Sequence, residues 1–129
     1  MSSKRCFLAT TVLQDRWTGS LLSSSPCRLV ALGGYNGHTR LDTAEIYDPG
    51  ASSSTNLSSF LPAATNQWDP LPSMAQARSD FAAVTFQGKV YAIGGFDGIN
   101  VLRSIESYDP EEKQWMLCTN MVTERSGVR

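Results

Sequence analysis

The chain has 129 residues, enough for one ordinary domain or part of a larger one, and 41% of them are hydrophobic, a globular rather than a disordered composition. Eleven basic residues against twelve acidic ones give a formal charge of −1, which predicts neither a nucleic-acid footprint nor a polybasic membrane anchor. Cys6, Cys27 and Cys118 are an odd number, far apart and without a C-x-x-C pair, which argues against a disulfide framework or a zinc site, and no apolar run approaches the roughly 18 residues of a transmembrane helix.

At the N-terminus, MSSKRCFLATTVLQ sets basic residues ahead of a short apolar stretch and loosely imitates a secretion signal. Thr10 and Thr11 interrupt that stretch and no clear small-residue cleavage site follows. A reducing, cytoplasmic setting is therefore expected, and the sequon at Asn56-Leu57-Ser58 has no bearing. After LATTVLQD (8–15) comes a stretch rich in Ser and Leu, RWTGSLLSSSPC (16–27). LVALGGYNGHTRLDTAEIYDP (29–49) is then an apolar run, two glycines, an aromatic, a turn and Tyr-Asp-Pro. A second Ser-rich stretch, GASSSTNLSSFLPA (50–63), precedes ATNQW (64–68). Downstream, four short runs predict strands: FAAVTF (81–86), KVYAI (89–93), SIESY (104–108) and WMLC (115–118). Gln87-Gly88 predicts a tight hairpin, Asp97-Gly98 follows a glycine pair, and Asp109-Pro110 ends the third run because proline brings no ladder donor.

VYAIGGFDGINVLRSIESYDP (90–110) nearly copies residues 29–49, so the chain is repetitive. Trp68 to Trp115, Met74 to Met121 and Arg78 to Arg125 each span 47 positions. Gly33 to Gly94 and Tyr47 to Tyr108 span 61, and Arg5 to Arg78 spans 73. Aligning LATTVLQD with FAAVTFQG, Arg28 with Lys89 and ATNQW with EEKQW leaves 16–27 and 50–63 as additions of 12 and 14 residues, and 73 − 12 − 14 = 47. The unit is therefore 47 residues: repeat 1 over 5–77 with two insertions, repeat 2 over 78–124, and the start of repeat 3 at 125–129. The insertions read either as solvated loop extensions, whose closure cost grows slowly with length, or as translated pyrimidine-rich non-coding sequence. Sequencing the transcript decides between them. Four strands in a repeat of this length describe one blade of a β-propeller. The expected fold is all-β: two four-stranded antiparallel blades plus the start of a third.

The marks that recur are the glycine pairs, a Tyr followed by Asp-Pro, a Trp, and the Met and Arg that open the next unit (Met74/Arg78 and Met121/Arg125). In these the chain resembles the kelch repeat, and RSDFAAV and GKVYAIGGFDG are most similar to the kelch-like adaptors that join BTB, BACK and kelch segments. The resemblance covers all but the two insertions. Elementary chemistry agrees with it. Paired glycines after a strand admit a close backbone or ring, and Tyr and Trp supply apolar area between blades. Gly33, Gly34, Tyr47, Trp68, Arg78, Gly94, Gly95, Tyr108, Trp115 and Arg125 are thus expected to be scaffold. A phosphate loop would need a helix where FDGINVLRSIESYDP supplies a turn and a strand. The resemblance places function in loops on one face. These are Tyr35, Asn36, His38 and Arg40 in the first copy, Phe96, Asp97, Asn100 and Arg103 in the second, and Asp80 at the unit boundary.

His38 is the single histidine, and no nucleophile–base pair or cluster of metal ligands stands out, so no catalysis, metal or cofactor is expected. The copper oxidases built on kelch-type propellers need a His/Tyr/Cys set that this chain lacks. Glu45 and Glu106 occupy equivalent strand positions and read as structural. What the resemblance implies is a protein-interaction module that recognises substrates for a cullin-3 ubiquitin ligase, with cullin-3 engaged through a BTB domain absent from this chain. An actin-binding cytoskeletal scaffold is the competing expectation, and a non-functional truncated product is a third. Propellers of this family usually close a ring of six blades. Two blades bare both flanking faces, so the isolated chain is expected to self-associate.

Overall fold

A computed structural model describes residues 1–14, 27–49 and 67–127. Residues 16–26 of the first insertion and all of the second, 50–63, lie outside the described residues. Two four-stranded antiparallel sheets are present, with no helix among the described residues. The first blade comprises β1 (Ala9–Gln14), β2 (Cys27–Leu32), β3 (Ala44–Tyr47) and β4 (Trp68–Leu71). The second comprises β5 (Ala82–Phe86), β6 (Lys89–Ile93), β7 (Ile105–Asp109) and β8 (Gln114–Leu117). Strands follow one another in chain order across each sheet, so each blade is a simple meander.

The four strands expected in the second blade are each found within one residue of their expected ends. Gln87 (φ 50°) and Gly88 (φ 76°) are both left-handed, which matches the twist of the strands they join. The registers repeat as well. Leu13↔Arg28 stands where Phe86↔Lys89 stands, and Tyr47↔Trp68 where Tyr108↔Trp115 stands. Cys27, counted with the first insertion in the sequence, opens β2 and pairs with Gln14. The longer connection in the first copy lets its ladder run one rung further than the tight Gln87-Gly88 turn permits.

Directly paired residues of an antiparallel sheet share a face. The rows Thr11–Val30–Ile46 and Ala9–Leu32–Ala44 turn toward the second blade, which answers with Thr85–Val90–Tyr108–Trp115. Val30, Leu32 and Val90 are fully buried and join Leu13, Ala44, Ala92, Tyr108, Met74 and Phe81 in one core between the sheets. Thr11 and Thr85 share a 3.0 Å hydrogen bond across it. Burying one large aliphatic side chain is worth about 1.5–3 kcal/mol, so the stability of either blade depends on its neighbour.

Residues 74–81 thread this seam and bond to both sides. Met74 N donates to Asp42 O, Arg78 N to Leu41 O, and Gly34 N to Arg78 O, all on the first blade. Ser79 exchanges backbone bonds with Phe96 on the second. The Arg78 side chain, wholly buried, also enters the second blade. It donates to Gly94 O, Ser104 O, Ser104 Oγ and Glu106 Oε1 at 2.8–3.3 Å, which satisfies all its N–H groups. Glu106 accepts in addition from Ala75 N and Gln76 N.

The first blade holds the same network one repeat earlier. Arg5 donates to Gly33 O, Thr43 O, Ser3 Oγ and Glu45 Oε2, and Glu45 accepts from Ser2 N. Burial alone would raise the Glu45 carboxyl, but the Ser2 N–H and the Arg5 charge prevail and hold it below the ordinary carboxylate range. The glycine pairs make room for this arrangement. A Cβ on Gly33 would lie 2.5 Å from Arg78 O and one on Gly94 2.5 Å from Arg125 O, both in left-handed backbone. Tyr47–Trp68 and Tyr108–Trp115 form tilted ring pairs at 5.3 and 5.4 Å, and Trp115 Nε1 donates to Pro72 O across the seam.

Candidate functional site

Each blade presents a loop between its second and third strands, and the two loops share one backbone. In the first, the Asn36 side chain accepts from His38 N and Thr39 N. In the second, the Asp97 carboxylate accepts from Ile99 N and Asn100 N at 2.8 and 2.7 Å. Both are Asx turns, which Asn and Asp form because a short side-chain oxygen reaches the backbone two residues on. The N–H bonds of Asn100 and Ile99 hold the Asp97 carboxyl below its usual range, so the turn carries a negative charge at neutral pH. Tyr35 and Phe96 anchor the loops: Tyr35 bridges to Cys6 and Arg40, and Phe96 to Ser79 and Val101.

Arg40 joins the two loops. Its guanidinium carbon sits 4.4 Å from the centre of the Tyr35 ring and 5.1 Å from that of Phe96. Its Nε donates to Ser79 Oγ at 3.3 Å. Arginine suits this place because a planar, weakly hydrated cation can stack on aromatic faces while its edges hydrogen-bond. Four residues from three chain segments (Tyr35, Arg40, Ser79 and Phe96) are thereby drawn into one cluster spanning both blades. Around it the tips are open to solvent: Asn36, His38, Thr39 and Asn100 are exposed, and Ile99 is 86% exposed at the apex of its turn.

The other expected residues fall apart from this cluster. Arg103 is exposed on the stretch leading into β7, where its carbonyl accepts from Met121 N. Asp80 is left-handed (φ 54°), donates through its N–H to Phe7 O and accepts from Gly127 N. It borders a concavity of about 340 Å³ between the facing strands β1 and β5, beside Phe7, Thr10 and Phe81. Ser79 and Ile99 belong to the face but were not singled out in the sequence. The 61-residue offset between the loops finds Ile99, since it pairs His38 with Ile99 and Arg40 with Val101. Among the described residues, no group of three or more His, Cys, Asp or Glu side chains is placed to hold a metal ion, and no helix is long and apolar enough to cross a membrane.

The model of the Kelch motif matches residues 16–75 and 77–122. The chain is 38% identical over 128 residues to a kelch repeat and BTB domain-containing protein of Caenorhabditis elegans, and equally to the kelch repeat-containing protein kel-10 of the same organism. Each match covers 98% of this chain and 18% of the relative, so the chain spans about a fifth of the length of these curated relatives. Kelch-like protein 13 of Mus musculus is 30% identical over 66 residues, half of this chain and 10% of that protein.

Proposed function

The chain belongs to the kelch-repeat proteins, whose repeats are protein-interaction modules, and from that premise we propose that its loop face recognises a protein destined for ubiquitination. It serves as the substrate-binding part of a cullin-3 ligase adaptor. Cullin-3 is reached only through a BTB domain, which these 129 residues do not include and which the name of a relative supplies. The repeat boundaries at 5–77, 78–124 and 125–129 follow the 47-residue unit. A reducing, cytoplasmic setting is part of the same proposal, resting on the odd number and wide spacing of Cys6, Cys27 and Cys118.

One observation carries this reading. The two loops keep their Asx turns, left-handed glycines and aromatic anchors, yet differ at the exposed tips, His38 against Ile99 and Thr39 against Asn100. A constant backbone with varied, solvated tips on a rigid scaffold is what recognition requires and what packing alone does not. Tyr35, Asn36, His38 and Arg40 with Phe96, Asp97 and Asn100 form the centre of the face, and Asp80 and Arg103 lie at its margins.

The tagged chain, expressed in cells, is expected to retain a partner that Ile99→Asp or His38→Ala releases without altering the β-sheet circular dichroism. Fused to the BTB region of the C. elegans relative, it is expected to co-purify with cullin-3 and to raise ubiquitination of that partner. Capture indifferent to both substitutions would remove the loop face from consideration. Co-sedimentation with actin, without cullin-3, would replace the ligase reading with the cytoskeletal one.

A further inference from the structure

Of the five asparagines in the chain, only Asn36 is followed by glycine. Three features of the folded loop make this pair reactive. The Gly37 N–H donates to nothing among the described residues, so the nitrogen beside the Asn36 side chain is not tied into a hydrogen bond. A Cβ at Gly37 would meet nothing within 4 Å, and both residues are exposed, so water and hydroxide reach that nitrogen. The Asn36 side-chain oxygen accepts from His38 N at 2.9 Å and from Thr39 N at 2.8 Å. Those two donors draw electron density from Cγ and face the oxygen on which negative charge gathers when a nucleophile adds there, as in an oxyanion hole.

We propose that Asn36 is a modification site of the loop face, where the side chain deamidates spontaneously and leaves a carboxylate. Gly37 N attacks Asn36 Cγ and closes a succinimide ring. The Cγ–Nδ2 bond breaks, and the proton lost by Gly37 N departs with that nitrogen as ammonia. Water then opens the ring. Cleavage between Cγ and Gly37 N gives aspartate on an unchanged backbone. Cleavage between Gly37 N and the main-chain carbonyl carbon of Asn36 gives isoaspartate, which routes the chain through the side chain and adds a methylene. One water is consumed, one ammonia is released, and nothing is oxidised.

The second loop shows how the first product sits. Asp97-Gly98 stands at the equivalent place, with Gly98 at φ 106° against 100° for Gly37. The Asp97 carboxylate accepts from Ile99 N and Asn100 N as Asn36 accepts from His38 N and Thr39 N. Aspartate at position 36 therefore keeps the turn and adds a negative charge to the face. Asp97 itself is protected from the same ring closure, which an acid undergoes when protonated, because its N–H bonds keep it ionised. Isoaspartate has no such likeness in the chain. Its methylene falls inside the spans closed by Leu41 N to Gly34 O and Asn36 N to Thr39 O, so it displaces the His38 and Thr39 tips. None of this depends on which partner the face receives.

The folded chain is held at neutral pH and body temperature and sampled over weeks, with part of it kept unfolded in urea. Trypsin releases residues 29–40, LVALGGYNGHTR, in which Asn36 is the only side-chain amide. In the folded sample that peptide is expected to gain about 1 Da and to separate into two new species, the isoaspartate marked by isoaspartyl methyltransferase. The peptides carrying Asn100 and Asn120 are expected to stay unchanged. Gly37→Ala is expected to slow the gain at least about tenfold, because a Cβ restricts the approach of the attacking nitrogen. Should that variant lose its β-sheet circular dichroism, Asn36→Gln replaces it and is expected to show no gain. Conversion in urea alone overturns the proposal, since the folded turn then protects the amide. So does a peptide that never gains mass, equal conversion at Asn100 or Asn120, or a gain in folded Gly37→Ala at the wild-type rate.

Discussion

Glu106 and Glu45 hold equivalent places, but Glu106 accepts four bonds where Glu45 accepts two, and removing each is expected to cost very different amounts. Glu106→Ala strips two bonds from Arg78, at Nε and Nη2, and leaves the N–H groups of Ala75 and Gln76 without their acceptor. Arg78 is wholly buried and lies mid-chain, tied on one side to Leu41 and Gly34 and on the other to Phe96 through Ser79. It cannot swing out to water without opening the seam. Breaking a buried ion pair from one side costs about 3–5 kcal/mol, a large share of the about 5–15 kcal/mol that holds a domain together. In Glu45→Ala the partner is Arg5, which loses a single bond and keeps those to Gly33 O, Thr43 O and Ser3 Oγ, and its buried Nε lacks an acceptor already. Only that bond and the Ser2 N–H depend on Glu45, which caps the loss at about 1–2 kcal/mol. Urea denaturation followed by tryptophan fluorescence, at concentrations below any self-association, measures both values. A loss below about 1 kcal/mol for Glu106→Ala would refute the reasoning. An equal loss for the two variants would refute the part that rests on the number of bonds each carboxylate accepts.

Three further outcomes are expected. Gly33→Ala places a Cβ 2.5 Å from the Arg78 carbonyl in left-handed backbone, whereas Gly37→Ala meets nothing within 4 Å and bears only the strain of its φ. The first is expected to cost at least about 3 kcal/mol and the second about 1, read from thermal melts of the two variants. Arg40→Ala removes the cation shared by Tyr35 and Phe96 and is expected to cost about 1 kcal/mol of stability, with amide exchange rising at residues 79 and 96 and not at the far edge of either blade. The Asp97 carboxyl is depressed by N–H bonds it makes only when folded, so its contribution is present above the unfolded carboxylate range and fades as pH falls through the lower folded value. NMR titration of the Ile99 and Asn100 amides is expected to show that step, and Asp97→Asn to keep the turn and abolish it, as Asn36 does in the first loop.

The strands of the second blade were legible because they are short and set off by Gln87-Gly88, the glycine pair and Asp109-Pro110, and the hairpin at Gln87-Gly88 follows from turn chemistry alone. The paired registers Leu13↔Arg28 and Phe86↔Lys89 fall at positions that the spacing arithmetic makes equivalent. What pattern could not reveal is which way a residue faces at a boundary between units. Arg78 could be seen to recur with Arg125, but not that its backbone belongs to one blade and its side chain to the next. The Arg40 cluster was hidden for a related reason. Tyr35 and Phe96 are 61 residues apart and meet only because the seam brings neighbouring blades together. Nor does periodicity announce an arginine whose equivalent is Val101.

That last inequality bears on how the face works. Were Arg40 part of the repeating scaffold, its counterpart would have to reach in the same way toward the next blade, and valine has neither the length nor the charge to do so. Val101 is 41% exposed and holds only the backbone bridge to Phe96. The cation is therefore a feature of this one seam, and it fixes the Asn36 and Asp97 turns relative to each other. Two loops held separately would each lose orientational freedom when a partner bound, whereas two loops already fastened through Arg40, Ser79 and Phe96 have lost it on folding. A partner that touches both tips then meets one preformed surface, with His38 on one side and Ile99 on the other. A partner that touches a single tip gains nothing from the clip. Dependence of binding on Arg40, at a residue that need not contact the partner, is thus the signature of recognition that spans the seam.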